Sequence, residues 1–197
     1  MTTSSMHRCD WCGTDPLYVA YHDREWGVPC RDEARLFEFL VLESMQAGLA
    51  WITILRKREH FRRAFAGFDA SRVARFDDTD RVRLLADAGI VRNRAKIDAT
   101  IGNARAVLAL REHGDGLAGL LWSLVEGAPI QNRYRSMESI PATTPLSDEL
   151  SRRLRAVGLR FVGPTICYAL MQAVGMVNDH LVQCPRHEAC AALAESP

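Results

Sequence analysis

Near the end of the chain, in Val177-Asn178-Asp179-His180-Leu181-Val182-Gln183-Cys184, a histidine and a cysteine stand four residues apart. That spacing puts an imidazole and a thiol on one side of a helical turn, within reach of a common metal ion. Two ligands do not close a structural zinc site, and a helix-face pair without metal is the commoner meaning of such spacing. More thiols and imidazoles stand near both ends: Cys9 and Cys12 make a Cys-x-x-Cys, and His187 and Cys190 follow Cys184. On spacing alone, rival coordination and a redox role for Cys9 and Cys12 both stay open. Cys30 and Cys167 read as small core residues.

A carboxylate is the second candidate. Positions 36, 40, 43 and 47 share one helix face and read Leu36, Leu40, Glu43 and Ala47. On such an apolar stripe Glu43 must be paired, protonated or functional. Trp11, Tyr18, Tyr21 and Trp26 crowd the N-terminal segment, with Trp51 further on. Core packing is the ordinary role of such residues, and for Trp26 the favoured one. A third candidate is LSRRLRAVGLRFVGPTICYALMQAVG, residues 150–175. A helix stops at Gly158, and after a short turn Gly163-Pro164 opens another, with proline where its missing N–H costs nothing. Such a turn lets backbone N–H groups approach a phosphate, although an ordinary helix–helix turn has an equal claim.

The elements that must carry these residues are nearly all helical. Asp32 caps a helix running to Gly48; a second covers Trp51 to Phe65, and Asp69 caps a short third. Further helices are expected over Thr79–Ala88, Asn93–His113, a stretch ending near Glu126, and Ser147 to Gly158. Residues 127–145, with three prolines, read as a surface connection. No strand pattern is convincing, so the expected fold is all-α, one domain over residues 9–186. Residues 1–8 are expected to be disordered and 187–197 to be a flexible tail.

The 197 residues are 48% hydrophobic and 25% charged, ordinary for a soluble protein long enough to bury a large core. Neither a leader nor a run of eighteen apolar residues is present, so export and a membrane span are not expected, and the six cysteines point to metal before disulfides. A net charge of +1 decides nothing about nucleic acid. Basic clusters at Arg56, Lys57, Arg58, Arg62 and Arg63, at Arg92, Arg94 and Lys96, and at Arg152, Arg153, Arg155 and Arg160 read as solvated helix faces or phosphate contacts.

Cys9-Asp-Trp11, DPLYVAYHDREWGVP (15–29), LESMQAGLAWITIL (42–55), DAGIVRNRAKI (87–97), GNARA (102–106), FVGPTICYALMQAVGMVNDH (161–180) and Cys184 occur in this order. Together they resemble the 3-methyladenine DNA glycosylase I family of the helix–hairpin–helix glycosylase superfamily, over about residues 9 to 184. The resemblance implies a helix–hairpin–helix fold whose termini are joined by one structural zinc ion on Cys9, His22, His180 and Cys184. Four protein ligands leave no position for a catalytic water. It further implies a DNA repair hydrolase that flips 3-methyladenine out of double-stranded DNA, cleaves its glycosidic bond and releases the free base. Such an enzyme is expected to act as a cytoplasmic monomer.

By the same resemblance Glu43 reads the base, Tyr18, Tyr21, Trp51 and Trp11 surround it, and Leu49 of the Gln46-Ala47-Gly48-Leu49 turn fills the gap in the stack. Gln46, Gly48, Leu49, Gly163 and Thr165 are the expected DNA contacts. Many relatives in the wider superfamily carry a catalytic aspartate where this chain has Asn178, and Asp179 is expected to point elsewhere. Lyase-type relatives place a lysine where this chain has Thr165, so no Schiff-base step is expected. A noncatalytic DNA-binding module is the alternative; loss of Glu43 or Tyr21 would favour it, and both are present.

Overall fold

The fold is organised around a helix with no exposed side. In the computed structural model, which describes residues 7–114 and 116–194, α2 (Glu33–Gln46) is buried continuously from Leu36 to Met45. Its apolar residues run all round the helix, so it must be enclosed on every face. Four helices supply the enclosure: α3 (Trp51–Ala64), α6 (Arg94–His113), α7 (Gly116–Trp122) and α9 (Pro164–Ala173). Around them lie α1 (Pro16–Arg24) on α3, α4 (Ala70–Val73) and α5 (Asp78–Ala86) on α6, and α8 (Pro145–Ala156) on α9.

Local chemistry sets most helix starts. The carboxylates of Asp15, Asp32, Asp69 and Asp77 and the amide of Asn93 accept from the first free backbone N–H groups of α1, α2, α4, α5 and α6. One start differs from the sequence reading. α8 begins at Pro145, two residues before Ser147, because Ser147 closes a reciprocal capping box with Thr144 and Pro145 takes the first-turn position.

Two further expectations are corrected. Residues 127–145 are not a mere surface connection. Ile130–Gln131 (β1) pairs in parallel with Val177–Asn178 (β2), with Ile130 opposite Val177, and Ile140 packs on the core. Two-residue strands carry no readable alternation. The region from residue 187 is not a flexible tail as far as Ala194, since α10 (Pro185–Ala194) buries His187 and Cys190. Residues 1–6 and 195–197 of the expected disordered ends lie outside the described residues. Arg8 is anchored to Asp23 at 2.8 Å.

The first basic cluster is structural. Buried Arg58 donates to Glu38 (2.6 Å) and Glu25 (2.7 Å), and Arg62 donates to Glu38 and Glu59. Arg56 pairs with Asp15, and Lys57 donates to the Ala88 carbonyl. These groups are committed to the fold, which leaves only Arg63 of the cluster without an ion pair or hydrogen bond from its side chain among the described residues.

Gly175, which turns the chain from α9 towards β2, shows how tightly this end is packed. Its φ is +71°, and a Cβ there would lie 2.5 Å from the backbone of Val28 and Pro29. Gly175→Ala combines left-handed strain with backbone overpacking and is expected to cost roughly 3 kcal/mol. Denaturant unfolding checks this; unchanged stability would contradict the packing described.

Candidate functional site

Cys9, His22, His180 and Cys184 meet at one buried point, their ligand atoms all within 4.8 Å of one another. Cys9 Sγ lies 3.7 Å from His180 Nδ1, and Cys184 Sγ lies 3.6 Å from His22 Nε2 and 3.8 Å from His180 Nδ1. The outward ring nitrogens are also held. His22 Nδ1 faces Asp23 at 2.8 Å and His180 Nε2 faces the Trp26 carbonyl at 3.0 Å, the arrangement that orients imidazoles towards a metal. Hydrogen bonds from the Cys9 thiol, then from His180 and His22, hold the Cys184 thiol far down, while the Cys9 thiol is pushed up by its neighbour Cys184 and by burial. For both sulfurs to act as thiolates, a cation at this point has to displace the Cys9 proton. The rival ligands are turned elsewhere: Cys12 donates to the Cys9 carbonyl, His187 faces the Asn132 carbonyl, and Cys190 accepts from Arg186.

Beside the cluster opens a cavity of about 350 Å³ lined by Trp11, Tyr18, Tyr21, Trp26, Glu43 and Trp51, among others. The two sites share walls. Trp11 packs edge-on against Tyr18 and Trp26, both at 5.0 Å, and lies 5.3 Å from the His22 ring. Trp26 stands 4.6 Å from the His180 ring. Trp26 is therefore buried, as expected, and still presents an edge to the cavity. Tyr21 and Trp51 complete the aromatic wall, 5.5 Å apart.

Glu43 enters this cavity from α2. It is 4% exposed and makes no hydrogen bond or ion pair to any described residue. Burial alone pushes its carboxyl up to about 8. Of the three fates open to a carboxylate on an apolar stripe, pairing within the protein is excluded. What remains is a group that keeps its proton until a donor or a positive charge arrives.

The opposite wall comes from α9, whose Thr165, Tyr168, Ala169 and Gln172 line the cavity. Beneath it lies Asp179, fully buried, accepting from Tyr168 Oη (2.6 Å), Gln172 Nε2 (2.8 Å) and Asn132 Nδ2 (2.6 Å). Asp179 does not simply point elsewhere; it fixes two lining residues. Asn178, also buried, does not line the cavity and donates instead to Gln131 and to the His187 carbonyl. Sequence reasoning passed over Tyr168 and Gln172, although 165, 168, 169 and 172 repeat at helical spacing. Met137, Ile140, Pro141 and Ala142 also line the cavity, and nothing local announces them.

Two turns flank the cavity mouth. Gln46–Leu49 is a type II turn, with Ala47 at φ −46°, ψ 117°, Gly48 at φ +84°, and Leu49 N donating to the Gln46 carbonyl at 2.7 Å. The Gln46 amide donates to the Leu49 carbonyl, and Lys96 of α6 donates to the carbonyls of Met45 and Ala47, leaving Leu49 exposed at the tip. Lys96 is thus buried and committed, its ammonium pKa lowered by burial. The second turn joins α8 to α9. Gly158 at φ +91° ends α8, and Gly163 at φ −65° opens α9 with its backbone bare beside Arg155. Thr165, in the first turn of α9, reaches both the surface and the cavity.

A family model described as methyladenine glycosylase matches residues 11–187. DNA-3-methyladenine glycosylase 1 of Escherichia coli (strain K12) is 50% identical over 179 residues, 91% of this chain and 96% of that protein. A crystal structure of 3-methyladenine DNA glycosylase I superposes with a TM-score of 0.89 at 51% identity, covering 91% of this chain and 98% of the other. A substituted 3-methyladenine DNA glycosylase I, solved in complex with 3-methyladenine, superposes with a TM-score of 0.88 at 34% identity, covering 91% and 97%.

The cluster geometry predicts that purified protein holds one tightly bound divalent metal. His180→Ala should release it and lower the melting temperature, whereas Cys12→Ser should retain both; elemental analysis beside melting curves decides. Glu43 generates a second expectation. The unfolded carboxyl ionises near 4.5, while the folded one keeps its proton to about 8. Between those pH values the folded state binds more protons, so Glu43 subtracts stability as pH rises. Glu43→Gln should therefore match wild type near pH 4.5 and be more stable at pH 7, by roughly 3 kcal/mol at most. A variant less stable than wild type at pH 7 would mean that Glu43 is a structural partner.

Proposed function

Because the chain belongs to the methyladenine glycosylase family, we propose that it removes 3-methyladenine from double-stranded DNA by hydrolysing the N-glycosidic bond, leaving an abasic site and the free base. Glu43 carries this reading: an unpartnered carboxyl in an aromatic cavity of a size that suits a flipped base. The same observation disfavours a noncatalytic DNA-binding module, which has no use for a destabilising buried acid.

The positive charge of 3-methyladenine in the nucleotide suits this cavity. The π faces of Trp11, Tyr18, Tyr21 and Trp51 attract a cation more than a neutral purine. Glu43, ionised by that charge, accepts from the exocyclic N–H. The lesion is already a good leaving group, so no carboxylate is needed at Asn178. Water adds to C1′, the electron pair of the glycosidic bond stays with the purine and cancels its charge, and one proton is released. No lysine lines the cavity, and Lys57 and Lys96 are both bound to carbonyls, which supports a hydrolysis without a Schiff base.

We assign the α8–turn–α9 unit as a helix–hairpin–helix whose Gly163 and Thr165 meet backbone phosphate. Leu49 fills the vacated stack, in a turn shaped by Gln46 and Gly48. Zinc is the metal that fits Cys9, His22, His180 and Cys184. Its bonds of about 2.3 Å to sulfur and 2.0–2.1 Å to nitrogen imply tetrahedral S···N separations of about 3.6 Å, against the 3.6 to 3.8 Å found. When bound it ties the termini together, and its four protein ligands make its role structural. The reading places the protein in the cytoplasm, as a monomer acting on chromosomal DNA.

Incubation with methylated duplex DNA should release 3-methyladenine, identified by chromatography; no released base would refute the activity. The ratio kcat/KM should rise with pH through about 8, where the free carboxyl ionises. Glu43→Gln should abolish that rise and weaken both excision and free-base binding by roughly 1.5–3 kcal/mol. Equal affinities in calorimetry would end the case for Glu43 as the base reader.

A further inference from the structure

Phe161, at the tip of the turn between α8 and α9, holds a left-handed backbone conformation with φ +55°. A residue with a Cβ adopts that conformation only at a steric cost. Its ring is 37% exposed, is not among the buried core side chains, and joins no aromatic pair among the described residues. It does not line the aromatic cavity either.

The strained conformation is imposed from three helices at once. Asn103 of α6, buried, takes both backbone groups of Arg160, its Oδ1 accepting from the N–H at 2.8 Å and its Nδ2 donating to the carbonyl at 3.0 Å. Ser44 of α2, also buried, reaches the Phe161 carbonyl at 3.0 Å. Ser151 of α8 donates to the Val162 carbonyl at 2.7 Å. Three successive carbonyls are thus fixed by side chains. Strain that is over-determined in this way beneath an exposed apolar ring points to a functional position.

The same scaffold holds Leu49. Two residues after Ser44, α2 runs into the turn that presents Leu49, and Lys96, seven residues before Asn103 on α6, holds that turn. One helix therefore sets the placement of both exposed apolar tips. The surroundings are basic. Arg155 and Arg160 beside Phe161, and Arg92 and Arg94 at the start of α6, are exposed and make no ion pair among the described residues. An apolar tip within unpaired guanidinium groups suits a polyanion whose charged backbone encloses apolar steps.

We propose that Phe161 is a second apolar DNA-contacting residue, which works with Leu49 against the duplex on either side of the flipped base. This rests on the glycosylase reading for its partner, and the test separates the two. Phe161→Gly and Phe161→Tyr are compared with wild type for melting temperature, calorimetric binding of free 3-methyladenine, and anisotropy-detected binding to a duplex carrying an abasic-site analogue. Phe161→Gly should melt at or above the wild-type temperature, because glycine accepts φ +55°. It should bind the free base normally, yet lose tenfold or more in duplex affinity and in kcat/KM. The dependence of duplex affinity on salt should keep its wild-type slope, since no phosphate contact is removed. Phe161→Tyr should restore duplex binding. A glycine variant that melts lower makes Phe161 a packing residue, and one with unchanged duplex affinity removes the contact. A glycine variant altered only in self-association makes the tip a protein interface. Wild-type protein that binds the duplex and releases no base would overturn the glycosylase reading alone.

Discussion

The enclosure of α2 is the constraint from which the rest of the structure follows. A helix apolar on every face cannot lie at a surface, so α3, α6, α7 and α9 must surround it. Only its two ends then reach the outside, and at the C-terminal one the sequence places Glu43, Ser44, Gln46 and the glycine turn. The cavity carboxyl, the hydroxyl that steadies the neighbouring turn and the exposed Leu49 are thus consecutive features of one rod end. Their relative positions inherit the rigidity of the core. Burial at that location is what raises the pKa of the Glu43 carboxyl.

What the sequence reveals of this arrangement tracks how local each determinant is. Asp32, Asp69 and Asn93 announce their helices because a cap acts over three residues. Glu43 stands out because its helix neighbours are apolar, and the turn at Gly48 because its conformation requires glycine. Tyr168, Gln172 and Asp179 form their network only when α9 lies against residues 177–180 and Asn132 comes from a third segment. Met137 and Ile140 reach the cavity only because β1 pairs with β2, and two-residue strands leave no pattern to read. The helix after residue 185 is hidden for a similar reason: its composition is unremarkable, and His187, which ties it down, faces a carbonyl from a distant segment. The Cys/His quartet lies between these cases. His180 and Cys184 are a local spacing, but their link to Cys9 and His22 was supplied by resemblance, since more than 150 residues intervene.

The Cys/His cluster and the aromatic cavity share walls and form one structural unit. Trp11 and Trp26 each touch a ligand imidazole on one side and the cavity on the other. A shift of either histidine therefore moves a surface against which a base would stack. On the far side Asp179 steadies Tyr168 and Gln172 and is the residue next to His180. Both walls are thus tied to the short stretch 177–184, which has little apolar core of its own.

The four converging ligands also change what kind of object the chain is. With a cation bound, residues 9 to 184 would form a closed ring of 176 residues. Closing so long a ring restricts the denatured chain heavily. A clasp of that kind would also resist mechanical unfolding, because pulling on the chain outside the ring loads the four Cys and His side chains before any helix of the core.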